Sequence, residues 1–205
     1  MKTIKTHYRI ATDFLLRELG FYFFLTIATF LLLTIFTTYL FQQNPDIAQT
    51  LMQSVVDKFQ GIVIDGEISL IHLLINNIQA SLLGILIGLI PFLFLPILGI
   101  FSNAAVLGLV FASSQTAAVP LWKIIVFGIL PHGIFELTAV FLCYAMGLCI
   151  CWNLTKKIVG YRKREDLKHL LQNCLRTALL YVVPLLIVAA VVETYLTSQI
   201  ITAFI

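Results

Sequence analysis

The chain has 205 residues, of which 60% are hydrophobic and 11% are charged, and its formal net charge is +3. Its mean hydropathy is +1.00, whereas soluble domains contain about 25% charged residues. This composition excludes an ordinary soluble domain. It predicts one integral membrane domain over residues 1–205, all-α in class, because helices satisfy their own backbone hydrogen bonds in lipid.

Five apolar segments are long enough to cross a bilayer, whose hydrocarbon core takes about 20 helical residues. They predict a polytopic helical bundle with five transmembrane helices, at residues 20–41, 73–98, 102–119, 121–152 and 177–202. Pro91 and Pro96 are expected to kink or end the second of these helices, since proline removes a backbone donor.

Lysine and arginine residues set the predicted orientation, because cytoplasmic loops carry an excess of them. Four precede the first segment and seven lie between the fourth and the fifth, so eleven of the thirteen share one side. We therefore expect a multi-pass protein of the cell membrane, with residues 1–19 and the basic loop 153–176 in the cytoplasm and the C-terminus extracellular. This rule accounts for the basic loop, so no nucleic-acid partner is expected.

Residues 42–72 form the long loop on the predicted extracellular side. Apolar residues recur in it at spacings of three and four, at Ile47, Leu51, Val55, Phe59 and Ile62. This pattern predicts an amphipathic helix on the outer surface or over the mouth of the bundle. The alternative is a simple connector whose apolar face rests on lipid.

The fourth apolar segment is too long for one span. Residues 121–152 would form a helix of about 48 Å, whereas the hydrocarbon core is about 30 Å thick. Pro131 divides this segment, and proline is favoured in the first turn of a helix. We expect a short helix at residues 121–130 near the outer interface, and a separate span that begins near Pro131.

Small residues on one face of the second segment predict a close helix contact. Gly84 and Gly88 are four residues apart, with Ser81 on the same face, and such residues let helix backbones approach closely. We expect this contact within the bundle; a contact between two copies, in a homo-oligomer, is the alternative.

Two carboxylates lie inside the apolar segments, Glu136 and Glu193, and His132 precedes Glu136 by one helical turn. An ionisable side chain in hydrocarbon is costly and usually faces the bundle interior or a watery cavity. From the predicted span ends, Glu136 lies about 8 Å and Glu193 about 9 Å below the outer surface. We therefore expect them at one depth in the outer half of the membrane, and take all three residues as candidate catalytic residues.

Amide side chains are expected in the same layer and are candidate substrate-binding residues: Asn76, Asn77, Gln79 and Gln115. Three interpretations of the layer stay open. Its side chains form interhelical hydrogen bonds only, or they bind or conduct a proton, an ion or a peptide. In the third, His132, Glu136 and Glu193 are the ligands of a metal such as zinc, with an open position for water, in a hydrolase or peptidase-like site.

The residues from Leu130 to Ala139 resemble the signature of the stage II sporulation protein M family, whose members commonly have Pro-His-Gly-x-x-Glu in a penultimate span. The resemblance extends over about residues 70–200. Besides Pro131, His132, Gly133 and Glu136, it includes Asn76, Asn77, Gly84, Gly88, Asn103, Leu107, Gly108, Glu193 and Thr194. Thr138 stands where the family usually has proline.

The resemblance implies a five-span membrane protein that works in an envelope complex with other membrane proteins, such as a transport ATPase or a cell-wall hydrolase. Some members are encoded with circular bacteriocins. This implies handling of a hydrophobic or membrane-active peptide, in export, maturation or immunity. The alternatives are an intramembrane metal-dependent peptidase or ligase that uses His132, Glu136 and Glu193, and a scaffold for cell-wall remodelling enzymes in sporulation-type engulfment. Whether the protein is an enzyme stays open at this point.

Overall fold

The computed structural model describes residues 2–60, 63–64, 67–114, 120–160, 164–197 and 199–200. Within them, five helices are long and apolar enough to cross a membrane, which confirms the all-α membrane bundle. These helices are Ile4–Gln43, Leu70–Leu89, Pro96–Ser113, Leu121–Ile158 and Leu167–Thr197. These apolar helices identify the chain as a membrane protein. Its orientation in the membrane stays a prediction.

The first membrane helix is one continuous helical run. It consists of α1 (Lys2–Phe14), a π-helical turn (Leu15–Leu19) and α2 (Gly20–Gln43). Its basic residues lie on the first two of these parts, so the apolar α2 supplies the span.

The loop that follows does contain the predicted helix, α3 (Pro45–Gln60). After α3 come two strands of two residues each, β1 (Val63–Ile64) and β2 (Glu67–Ile68), which pair antiparallel. α3 contacts α2 and the far end of the third membrane helix, α5 (Pro96–Ser113). Ala48 is buried in this contact, whereas Ile47 and Leu51 of the predicted apolar face remain 55% and 41% exposed. The part of that face formed by Ile47 and Leu51 is therefore turned away from the bundle, whereas Val55 is half-buried. The side chain of Phe59 and all of Ile62 lie outside the described part of the chain.

The second membrane helix is shorter than predicted. It comprises α4 (Leu70–Leu86) and a 3₁₀ turn (Ile87–Leu89), and α5 already begins at Pro96 rather than at residue 102. Pro91 is the reason, because the helical conformation is disfavoured for the residue before a proline. Ile90 accordingly has an extended backbone, with φ −92° and ψ 106°.

The turn between α4 and α5 is strained and anchored. Phe92 and Phe94 have positive φ values of 67° and 45°, which are uncommon for residues with a side chain. The Phe92 N–H donates to Thr155 Oγ1 at 2.9 Å, and the Cys151 thiol donates to the Ile90 carbonyl at 3.3 Å. Both partners belong to the fourth membrane helix, which therefore holds this turn in place.

The fourth membrane helix is continuous, so the expectation of two separate helices is wrong. It consists of α6 (Leu121–Lys123), a π-helical segment (Ile124–Ile129) and α7 (Leu130–Ile158). Pro131 stands in the first turn of α7, as predicted. A proline clashes with the carbonyl four residues before it in an α-helix. The helix changes from π to α at this point, and the helical run continues past Pro131 without a break.

The fifth membrane helix starts earlier than predicted, within the basic loop. It contains α8 (Arg164–Thr177), a π-helical turn (Ala178–Val182), α9 (Val183–Val191) and a second π-helical segment (Val192–Thr197). Because α7 runs on to Ile158, the described part of the basic loop is mostly helix. A helix can carry charged residues at its surface where it extends beyond the apolar core of the membrane.

α7 is the central helix of the bundle. Every residue from Ala139 to Cys151 is buried, and a helix that is apolar on all sides belongs in an interior. Leu142, Met146 and Ile150 pack with residues of α8 and α9. On the opposite side, Phe141 and Tyr144 pack with α2 and α5.

Glycines set the contact between α4 and α7. A Cβ atom on Gly88 would overlap the backbone of Gly147, and one on Gly147 would overlap the carbonyl of Gly84. Gly84 also contacts the ring of Tyr144. The small residues of α4 are therefore used inside the bundle, and the two helices run parallel in a fixed register.

Accessibility labelling tests the predicted orientation. We expect Gln49→Cys and Gln199→Cys to react with a membrane-impermeant maleimide on intact cells, and Lys5→Cys to react only after permeabilisation. The background would carry alanine at the native cysteines, which are Cys143, Cys149, Cys151 and Cys174. Labelling of positions 5 and 199 from the same side would contradict an odd number of spans.

Gly147→Ala tests the contact between α4 and α7. Overpacking of a tight contact typically costs 1–3 kcal/mol, so we expect a lower thermal unfolding temperature in detergent. Gly20→Ala is the matched control, because its new Cβ would meet nothing closer than 3.8 Å. Both substitutions gain up to about 1 kcal/mol of helix propensity. An unchanged or raised unfolding temperature for Gly147→Ala would contradict the proposed close contact.

Candidate functional site

Two antiparallel helical segments bring His132, Glu136 and Glu193 together. His132 and Glu136 lie one turn apart on α7, and Glu193 lies on the π-helical segment Val192–Thr197. One potential ligand atom from each residue lies within 4.8 Å of the other two. All three side chains are partly buried. We term these residues the carboxylate–histidine trio.

The pairing follows a simple register. His132 Nδ1 and Thr197 Oγ1 are 3.2 Å apart. Glu136 follows His132 by four residues and Glu193 precedes Thr197 by four, so the two carboxylates lie opposite each other one turn away. The two helices therefore run in opposite directions with matched rises. This register explains why carboxylates that are 57 residues apart in sequence meet at one depth.

Thr197 orients the histidine ring. Its side chain is buried, and its hydroxyl donates to the Val192 carbonyl at 3.3 Å. A hydroxyl has one proton and two acceptor lone pairs. With its proton directed to Val192, Thr197 can accept a hydrogen bond from the Nδ1–H of His132. That tautomer leaves the Nε2 lone pair free to act as a ligand.

The π-helical segment is part of the site. In an α-helix, a threonine hydroxyl reaches back to the carbonyl three or four residues earlier. Thr197 reaches Val192, five residues earlier, which fits the i→i+5 spacing of a π turn. Such turns are rare and occur frequently at functional sites. Here the turn carries both Glu193 and Thr197.

The trio has the chemistry of a cation site. Two ionised carboxylates at this distance repel each other, and the repulsion is stronger in a medium of low dielectric constant. A shared proton or a bound cation between them removes it. Among the described residues, this is the one such cluster of histidine, cysteine and acidic side chains. A histidine and two carboxylates form the kind of three-ligand set that catalytic zinc sites use, with the fourth position open.

The amide residues predicted for this layer are distributed differently. Asn77 is buried on α4, and its Nδ2 atom has no hydrogen-bond partner among the described residues. Asn76 and Gln79 are exposed on other faces of the same helix. Gln115 lies outside the described residues.

The depth of Asn77 follows from the glycine contact. Gly84 of α4 touches Tyr144 of α7, and the helices are parallel. Asn77 precedes Gly84 by seven residues and Glu136 precedes Tyr144 by eight. The difference is one residue, or about 1.5 Å along the axis. The unpartnered amide is therefore level with the trio.

Thr197 was not among the candidate site residues from sequence. The sequence feature that could have identified Thr197 is its spacing from Glu193. The two residues are four apart, as His132 and Glu136 are. Two i, i+4 polar pairs at equal depth on antiparallel helices can face each other. The hydroxyl alone gives no such indication, because threonine is common in membrane helices.

The chain matches the family model described as stage II sporulation protein M over residues 23–198. It is also similar to an uncharacterised protein of Methanocaldococcus jannaschii, with 28% identity over 130 residues, or 63% of this chain and 71% of that protein. No solved structure matches it significantly. The family match takes in most of α2, the four later membrane helices and the complete trio. The chain therefore belongs to the stage II sporulation protein M family.

Proposed function

We propose that this protein is the membrane component of an envelope complex that handles a hydrophobic or membrane-active peptide, with the carboxylate–histidine trio as its functional site. Among export, maturation and immunity, we favour maturation through metal-dependent cleavage or ligation of a peptide bond. The observation that carries this proposal is the approach of His132, Glu136 and Glu193 to within 4.8 Å of one another.

The energetics of the membrane support a functional role for the trio. A carboxylate in hydrocarbon is expensive, and translocon scales give about 2.5–3.5 kcal/mol for an aspartate at a helix centre. Interhelical hydrogen bonds in membranes return about 0.6 kcal/mol on average. Two carboxylates placed side by side therefore cost more than hydrogen bonding alone returns. A bound cation offsets that cost, because it neutralises both.

Each residue has a separate role in the proposed reaction. His132, Glu136 and Glu193 would each give one ligand atom to a divalent cation, which supplies an activated water. In hydrolysis, a water oxygen would bond to the carbonyl carbon of the substrate while the peptide C–N bond breaks. A carboxylate oxygen of Glu136 or Glu193 would carry the water proton to the leaving nitrogen. Ligation is the reverse of this sequence.

The surroundings of the trio favour a hydrophobic peptide as the substrate. Ile134, Tyr195 and Leu196 are exposed apolar side chains beside the trio residues in sequence, and they face the lipid side of the helices. A peptide dissolved in the membrane would reach the site along this surface. Asn77 offers a buried amide N–H at the same level, which suits a substrate carbonyl.

Proton- or ion-coupled transport is the second candidate function. It is favoured by the closeness of the two carboxylates, which can share one proton. The metal content of the purified protein distinguishes the two functions. A site that shares a proton between the carboxylates does not need His132 to act as a metal ligand.

Glu136→Gln tests the role of the trio. The change keeps the size of the side chain and removes its charge, so we expect loss of peptide processing by about 100-fold or more. The measurement is mass spectrometry of hydrophobic peptides after incubation with the protein in zinc-containing vesicles. Glu18→Gln is the control, because Glu18 is an exposed carboxylate remote from the trio. Equal peptide processing by both variants would indicate that the trio only forms structural hydrogen bonds.

Zinc binding by the purified protein tests the metal. We expect one zinc ion per chain in a competition titration with a chelator, and loss of that ion on His132→Ala. Thr197→Val removes only the orienting hydroxyl, and outer-shell changes of this kind weaken binding about 10–100-fold. His72→Gln, on the exposed surface of α4, is the control. A metal-free protein whose proton-linked phenotype depends on Glu136 would favour transport instead.

A further inference from the structure

A second candidate site lies at the opposite end of the bundle from the trio. It is an apolar groove of about 380 Å³, which is within the usual range for ligand sites. Its walls come from α2, from the turn before α5 with the start of α5, and from α7. The residues that form them include Phe21, Leu25, Phe94, Ile97, Leu148 and Trp152.

Basic side chains flank the mouth of this groove. Lys156 Nζ lies 4.9 Å from the centre of the Trp152 ring, and Arg17 is exposed one turn before Phe21. Glu18, next to Arg17 in sequence, is not among the residues that line the groove. The mouth of the groove is therefore cationic and its floor is apolar.

The groove has the depth of a lipid tail site. On α2 its lining extends from Phe21 to Thr29, which is about 12 Å of helix. Phe24 and Leu98, just outside it, are exposed apolar residues of the kind that face lipid. The end with Arg17 and Lys156 is the predicted cytoplasmic end, where the leaflet contains anionic lipids and basic pockets between helices bind their headgroups.

We propose that this groove binds an anionic phospholipid, with an acyl chain between α2 and α7 and the phosphate between Arg17 and Lys156. The proposal is independent of the trio and of the peptide function. Charge complementarity favours this occupant, because an anionic lipid brings a net negative charge to the two cations. The phosphate of a zwitterionic lipid is already balanced by its own ammonium group, and an apolar helix brings no charge.

Quenching of Trp152 fluorescence by brominated lipids tests the proposal. The full-length protein with Trp122→Phe would be placed in phosphatidylcholine vesicles that contain either brominated phosphatidylglycerol or brominated phosphatidylcholine. We expect half-maximal quenching at a lower mole fraction of phosphatidylglycerol, by roughly fivefold for each basic residue. Equal mole fractions for the two lipids would overturn the proposal.

Variants separate the headgroup from the acyl chain. Arg17→Gln and Lys156→Gln should each reduce the preference for phosphatidylglycerol roughly fivefold, whereas Arg9→Gln, two turns further from the groove, should leave it unchanged. The preference is a ratio within one variant, so a changed Trp152 emission does not affect it. Thr29→Phe should fill the groove and reduce quenching by both lipids.

Two other outcomes would count against the lipid. A uniform loss of preference in all three charge variants would indicate a diffuse surface effect. Absence of quenching by either lipid would overturn the proposal, and a dimer cross-linked through Leu25→Cys would then show that a second copy fills the groove.

Discussion

The structure depends on the burial of the middle of α7, from Ala139 to Cys151. This helix is surrounded by α2, α4, α5, α8 and α9, and its contact with α4 is close enough to exclude a single methyl group at Gly88 or Gly147. Dispersion forces rather than the hydrophobic effect hold such helices together in lipid, so close approach matters more than apolar area. The position of α7 fixes the depth of His132 and Glu136, and the α4 register places Asn77 at the same level.

The two ends of α7 have different tasks. At one end, the π-helical segment before Leu130 lets the chain pass Pro131 and present His132 and Glu136 towards the last helix. At the other end, Thr155 and Cys151 bind the strained turn between α4 and α5. One helix therefore positions the trio and closes the groove with Trp152, although the two sites have no residue in common.

The approach of the trio residues to one another could be predicted from sequence because charges in apolar segments are rare and depth follows from helical rise. The positions of Glu136 and Glu193 required only the span ends and 1.5 Å per residue. Pro91 indicated the end of the second helix, whereas the continuity of the fourth helix past Pro131 could not be predicted. Pro91 and Pro131 have the same covalent chemistry, yet the first ends a helix and the second stands in its first turn. The residues directly before the two prolines differ, since Ile90 is extended whereas Leu130 is helical, with φ −59° and ψ −39°. The local sequence contains no signal that the residues before Pro131 stay helical. The orienting role of Thr197 likewise arises from a contact 65 residues away in sequence.

The split of the trio between two helices has a consequence for biogenesis. His132 and Glu136 belong to the fourth membrane helix and Glu193 to the fifth, so the fourth enters the bilayer while its partner is still being synthesised. During that interval Glu136 faces its environment without Glu193 and Thr197, and the free energy of the inserted chain is higher than in the finished bundle. Arrival of the fifth helix completes the site and lowers that free energy. Assembly of the site and the final packing of the bundle are thus one step, and a chain halted before that step has neither.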